Sequence, residues 1–127
     1  MPFDWSQYLT LAEELALRTT EEAAMRSAIS RAYYAAFNLA RIRAEKNLGS
    51  IPRPPNLGSH EALWTVFRRH TDRRCRAIGV NGDRLRDNRG RADYRDAIAN
   101  VQSEMAAALL KARVIVQSLG VLPANLP

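Results

Sequence analysis

The chain has 127 residues, of which 46% are hydrophobic and 25% charged, with a net charge of +6. That length suits one domain with a real core, and the composition is that of a globular protein rather than a disordered one. No apolar run reaches the ~18 residues that a membrane span needs. The lone Cys75 excludes an internal disulfide, and no cysteine–histidine cluster suggests zinc.

In chain order, Asp4-Trp5-Ser6-Gln7 has the spacing of a capping box. Leu9, Leu11, Ala12, Leu15 and Ala16 then come at helical spacing, which predicts a first helix over 4–18. Asp4, Glu13 and Glu14 interrupt its apolar pattern, which argues against a secretory signal and makes the cytoplasm the expected compartment. Thr19 and Glu22 repeat the capping-box spacing and open a second helix running to about Asn47, stopped by Leu48-Gly49. Ala24, Ala28, Ala32 and Ala36 form one stripe of that helix. Ile29, Tyr33, Phe37, Ala40 and Ala44 form another, with polar residues at Ser27, Arg31, Tyr34, Asn38, Arg41 and Glu45. So wide an apolar arc calls for more than one packing neighbour. It predicts the central helix of a bundle, with a second subunit as a further candidate neighbour. Tyr33-Tyr34 reads as core and rim packing rather than a cofactor site.

Residues 49–59, rich in proline and glycine, read as a connecting loop. Ser59 caps a third helix carrying Leu63, Trp64 and Phe67 and ending near Thr71. Gly79 and Gly82 interrupt the next stretch, leaving a short helix around 83–90 that Gly90 weakens. A final helix is expected from Asp93 to Leu119, with Ile98, Val101, Met105, Leu109, Ala112 and Ile115 or Val116 on one face. Gly120 ends it, and Pro123 and Pro127 mark a tail over 120–127. No strand-period alternation appears. The expected fold class is all-α, an up-and-down bundle of four or five helices in one domain with its core over about 5–119.

Charge is unevenly placed. Residues 68–95 hold ten arginines against four aspartates, so the whole excess of +6 lies in one block. Such a block attracts polyanions, because guanidinium forks match phosphate oxygens bidentately. Arg84, Arg86, Arg89, Arg91 and Arg95 are the candidate phosphate ligands; a merely solvated face is the competing reading. Glycine-rich phosphate loops, zinc-protease motifs and paired cysteines are all missing, so no metal or cofactor is expected. His60 and His70, the only two histidines, read as surface residues rather than bases.

Three strings resemble the HEPN family, named for higher eukaryotic and prokaryotic nucleotide-binding domains, in its small stand-alone prokaryotic form. They are Ser30-Arg31-Ala32-Tyr33-Tyr34-Ala35-Ala36-Phe37, Gly58-Ser59-His60, and Leu85-Arg86 followed by Arg89, Ala92, Asp93 and Tyr94. The resemblance implies a helical bundle that forms a homodimer. It also implies one of two roles: a metal-independent ribonuclease of toxin–antitoxin or phage-defence systems, or a companion of a small nucleotidyltransferase encoded nearby. Nuclease members carry an arginine followed a few residues later by a histidine, and the dimer brings two such motifs together. Here Arg86 matches the arginine, but Arg91 stands four residues after Asp87 where the histidine belongs, and no histidine comes after His70.

That loss bears on the chemistry. Metal-free RNA cleavage needs a group that exchanges a proton near neutral pH. Histidine, with a pKa of about 6.5, suits the task; arginine, above about 12, stays protonated. Asp93 and Tyr94, with Arg86, are the remaining catalytic candidates, and both start far from neutral pKa values. Asp93 is expected to open the last helix, capping it or holding an arginine. Three functions stay open: a non-catalytic module binding RNA, a nucleotide or a nucleotidyltransferase; an active ribonuclease with another proton carrier; and a purely structural interaction bundle.

Overall fold

A computed structural model describes residues 2–48, 51–52 and 55–124. Among them the chain is all-helical: α1 (Ser6–Leu15), α2 (Glu22–Leu48), α3 (Ser59–Arg68), α4 (Arg73–Tyr94) and α5 (Val101–Val121). Gly49, Ser50, Arg53 and Pro54 of the 49–59 loop and residues 125–127 lie outside the described residues, and with them the expected stop at Gly49 and the end of the tail.

Helix α1 is shorter than its pattern predicts. Asp4 does serve its start, accepting hydrogen bonds from the Ser6 amide and hydroxyl at 3.0 and 2.7 Å. Its end comes early because Leu17 and Arg18 donate to carbonyls three residues back, tightening the last turn. The expected Thr19 cap is not formed among the described residues. Instead Met25 donates its amide to the Glu21 carbonyl at 3.1 Å to begin α2.

Helix α2 is the axis of the bundle and packs against α1, α3, α4 and α5. Both predicted stripes are buried, with Ala28, Ile29, Ala32, Tyr33, Ala36 and Ala40 all fully inaccessible. Alanine rows let neighbouring helices close in, so the width of the apolar arc is accounted for within the chain.

The main correction concerns α4. Gly79 and Gly82 do not break the chain; they sit inside one continuous helix of 22 residues. A Cβ on Gly82 would fall 2.2 Å from Cε3 of Trp64, and one on Gly79 would fall 2.5 Å from the Arg68 amide nitrogen. The two glycines form a notch into which α3 lays its largest side chain, and Trp64 is wholly buried there. Each glycine costs a helix about 1 kcal/mol relative to alanine, which burial of one large aromatic offsets. Asp72 caps the start, accepting from the Arg74 amide at 2.7 Å.

Because α4 runs on, Asp93 and Tyr94 end it rather than open α5. Helix α5 starts eight residues later than expected, at Val101, where Asn100 accepts from the Ser103 amide at 3.0 Å. It also continues through Gly120 to Val121. The carbonyls at the end of α4 are gathered by Arg26 of α2, which donates to Ala92, Arg95 and Asp96.

Candidate nucleic-acid interface

A single helix carries most of the predicted site. The spacing Arg86, Arg89 and Asp93 places those residues on one side of α4. Arg86, Arg89, Arg91, Tyr94 and Arg95 line an open groove of about 480 Å³, with Asp87 and Gly90 completing its wall. Arg84 lies outside that lining, near Lys111, whose pKa is lowered by burial and then by the charges of Arg91 and Arg84.

Within the groove the arginines are not equivalent. Arg91 is tied to Glu104 of α5, and the same carboxylate accepts from Asn88 at 3.1 Å. Lys111 completes that network by donating to Asn88 at 3.0 Å. Arg91 is therefore fastened to α5 rather than turned freely to the groove. Arg89 pairs with Asp93 at 3.4 Å, and its Nε is buried without a hydrogen-bond partner among the described residues. The Ser30 hydroxyl also donates to Asp93, at 3.4 Å. Asp93 thus holds an arginine, one of the two roles foreseen for it, and caps nothing. The side chains of Arg86 and Arg95 form no ion pair among the described residues; Asp87 lines the same groove, and the charge of Arg86 also acts on Asp83.

Behind Arg89 lies a wall of rings. Its guanidinium carbon sits 5.4 Å from the Tyr33 ring, 5.7 Å from Tyr34 and 5.8 Å from Tyr94. Aromatic faces attract the cation and fix its orientation. Tyr33 is completely buried, as its core reading predicts, whereas Tyr94 is 77% exposed at the lip.

His60 is the residue that sequence order concealed. It is not a free surface histidine: its ring stacks on Phe37 at 4.1 Å and on Tyr33 at 5.6 Å. Its Nδ1 lies 2.6 Å from the Tyr33 hydroxyl. Trp64 Nε1 donates to that same hydroxyl at 3.1 Å. Indole can only donate, so the phenol accepts from Trp64; Nδ1 is the one acceptor among the described residues for the buried phenol's own proton, and on that ground we assign the O–H to Nδ1. That assignment places the histidine proton on Nε2. Burial, then the charges of Arg89 and Arg86, push the His60 pKa below its ordinary value. Burial likewise pushes the Tyr33 phenol up to about 12, against the lowering effects of its Trp64 bond and the two arginines. The imidazole is thus neutral at pH 7, with its only lone pair engaged by Tyr33.

Three strings far apart in sequence therefore meet at one place. Ser30 reaches Asp93, Tyr33 reaches His60, and Arg89 reaches the Tyr33 and Tyr34 rings. Chemically, the arrangement offers guanidinium donors to an anion and an exposed ring to a flat group. The imidazole beside it, that of His60, is engaged through Nδ1 by Tyr33. His70 stands apart, its Nδ1 accepting from the Asp72 amide at 2.8 Å in the α3–α4 turn. Among the described residues no cluster of three or more histidine, cysteine or acidic side chains could hold a metal. No described helix is long and apolar enough to cross a membrane. Comparison with family models, with curated proteins and with solved structures finds no match to this chain.

Proposed function

We propose that this chain is a HEPN-like helical module that binds RNA through the arginine groove of α4 and does not cleave it. One observation carries the reading: Arg86 and Arg95, without ion pairs among the described residues, line the same groove as Arg89 and the exposed ring of Tyr94. Unpaired guanidiniums beside an exposed aromatic suit a phosphate joined to a base. The absence of cleavage is argued from His60. A base must have a free lone pair and a pKa near the working pH, and Tyr33 occupies the one lone pair of this imidazole. The resemblance adds two proposals: a homodimer that brings two arginine grooves together, and a small nucleotidyltransferase as a protein partner.

A second reading, a metal-independent ribonuclease acting as a toxin or in phage defence, is favoured by one observation: His60 lies close enough to Arg86 and Arg89 for their charges to lower its pKa. Rotation of the Tyr33 hydroxyl away from Nδ1 would free the imidazole as a proton carrier. The two readings separate in one experiment. Single-stranded RNA is incubated with the protein in excess chelator, and both retention and integrity of the RNA are measured. Retained, intact RNA supports the binding module. Cleavage lost in both His60→Ala and Arg86→Ala establishes the nuclease. RNA that is neither retained nor cleaved contradicts both and leaves a structural bundle.

A further inference from the structure

Arg31 stands in the middle of the most specific string of the sequence, yet the groove on α4 makes no use of it. Its guanidinium carbon lies 4.8 Å from the Tyr8 ring of α1 and 5.6 Å from the Tyr34 ring of α2. It makes no hydrogen bond or ion pair among the described residues. A cation is thus held in place by two ring faces alone, with the hydrogen-bonding edge of its fork uncommitted. This is the state in which arginine is prepared for a bidentate acceptor such as phosphate. Arginine usually meets a carboxylate in such a setting. Here the α2 positions one turn to either side, Ser27 and Ala35, carry no carboxylate.

Tyr34 joins this position to the groove. Arg31 and Arg89 lie 5.6 and 5.7 Å from the same Tyr34 ring. Tyr8, Arg31, Tyr34, Arg89 and Tyr94 therefore alternate ring and cation across α1, α2 and α4. Beyond Tyr8, the Trp5 ring packs edge-on at 5.3 Å and stiffens the far end. Aromatic rings interleaved with arginines are how proteins track a single strand without reading its sequence.

We infer that Arg31 is a second phosphate subsite and that the ligand is an unpaired strand of several nucleotides, spanning from the α4 groove across Tyr34 to Arg31. This rests on the RNA-binding reading above and adds a length requirement to it. A mononucleotide fills the groove alone; an oligonucleotide engages both subsites and binds more tightly.

The test titrates uridine monophosphate and a uridine hexanucleotide against wild type, Arg31→Gln and Arg86→Ala. Wild type prefers the hexanucleotide. Arg31→Gln loses about tenfold in hexanucleotide affinity, the worth of one charge-assisted contact, and keeps its monophosphate affinity. Arg86→Ala weakens both ligands. Equal hexanucleotide affinity in wild type and Arg31→Gln overturns the second subsite, even where Arg86→Ala remains weak. If Arg86→Ala alters neither ligand, the groove reading itself fails. A measurement on wild type covers a variant that does not fold: an arginine-selective dicarbonyl reagent should be excluded from Arg31 by the hexanucleotide and not by the monophosphate. Equal reaction of Arg31 with both ligands present overturns the inference.

Discussion

Tyr33 on α2 and His60 on α3 are joined by a 2.6 Å hydrogen bond, and Trp64 donates to the same Tyr33 hydroxyl at 3.1 Å. The buried hydroxyl accepts from the indole, and among the described residues Nδ1 is the one acceptor for its own proton. We accordingly assign the imidazole as a neutral ring with its proton on Nε2, and the same bond holds the start of α3 against α2 beside the arginine groove.

Tyr33→Phe keeps the ring and removes the hydroxyl. Trp64 loses its acceptor in a place closed to water, and half-buried His60 loses its donor. We expect a loss of about 1–3 kcal/mol, read as a lower urea midpoint with the slope unchanged. A midpoint equal to wild type would show that the hydroxyl holds nothing.

The depressed pKa of His60 has a pH signature. Above the ordinary histidine value, near 6.5, the ring is neutral in both folded and unfolded chains, and its favourable neutral-state contacts are fully present. As pH falls below that value the unfolded chain takes up the proton first, so stability drops. The window lies below about pH 6.5 and extends down through the folded-state pKa. Stability of wild type should fall more steeply across it than that of His60→Gln, with proton NMR reporting on the ring directly. Parallel profiles, or a ring titrating above 6.5, would contradict the network.

Two glycines of α4 should respond in opposite senses. Alanine at Gly82 drives a methyl into Trp64, where the open distance is 2.2 Å. The overpacking should cost about 1–3 kcal/mol or more. Nothing lies within 4 Å of a Cβ at Gly90, so alanine there should stabilise the helix by about 0.5–1 kcal/mol. Thermal midpoints of the two variants check this, and a Gly82→Ala protein as stable as wild type would mean that α3 and α4 are not packed through that notch.

The different behaviour of these glycines explains what was legible in the sequence. Helical spacing of apolar residues was enough for the all-α class, the central α2 and its two buried stripes. It was not enough for α4, because a glycine that admits a neighbouring tryptophan is written with the same letter as one that ends a helix. Only the partner at position 64 distinguishes them, and pairing of α3 with α4 is a tertiary fact. The shift of Asp93 and Tyr94 from one helix start to another helix end has that misreading as its cause. The arginine groove was legible as a charge block, since a row of cations on one helix needs no folding to be noticed. His60 was not, because its place beside Arg86 and Arg89 depends on α3 folding back over α2. The available signal was Tyr33 and Phe37, four residues apart, which offer one ring-lined face to whatever opens the next helix.

Assembly gives a separate prediction. The arc of α2 is covered by the chain's own helices, so the homodimer we propose must use another surface. On α5, Leu110 is 60% exposed, Val114 40% and Val121 72%. Sedimentation at micromolar concentration should show a species of twice 14.3 kDa, and a charged substitution at Leu110 should shift it toward the monomer if α5 forms the contact. A single 14.3 kDa species in wild type would rule out the dimer.

The central claim, that RNA phosphates are held by the unpaired arginines of α4, is tested most directly by the salt dependence of binding. Affinity for single-stranded RNA should fall linearly in log–log form with salt, with a slope of about 0.7 per phosphate neutralised. Replacing Arg86 and Arg95 together by alanine should flatten that slope by about 1.4, two contacts' worth, and the RNA recovered from the wild-type complex should be intact. An unchanged slope in the double variant, or fragmented RNA from wild type in chelator, would contradict the account.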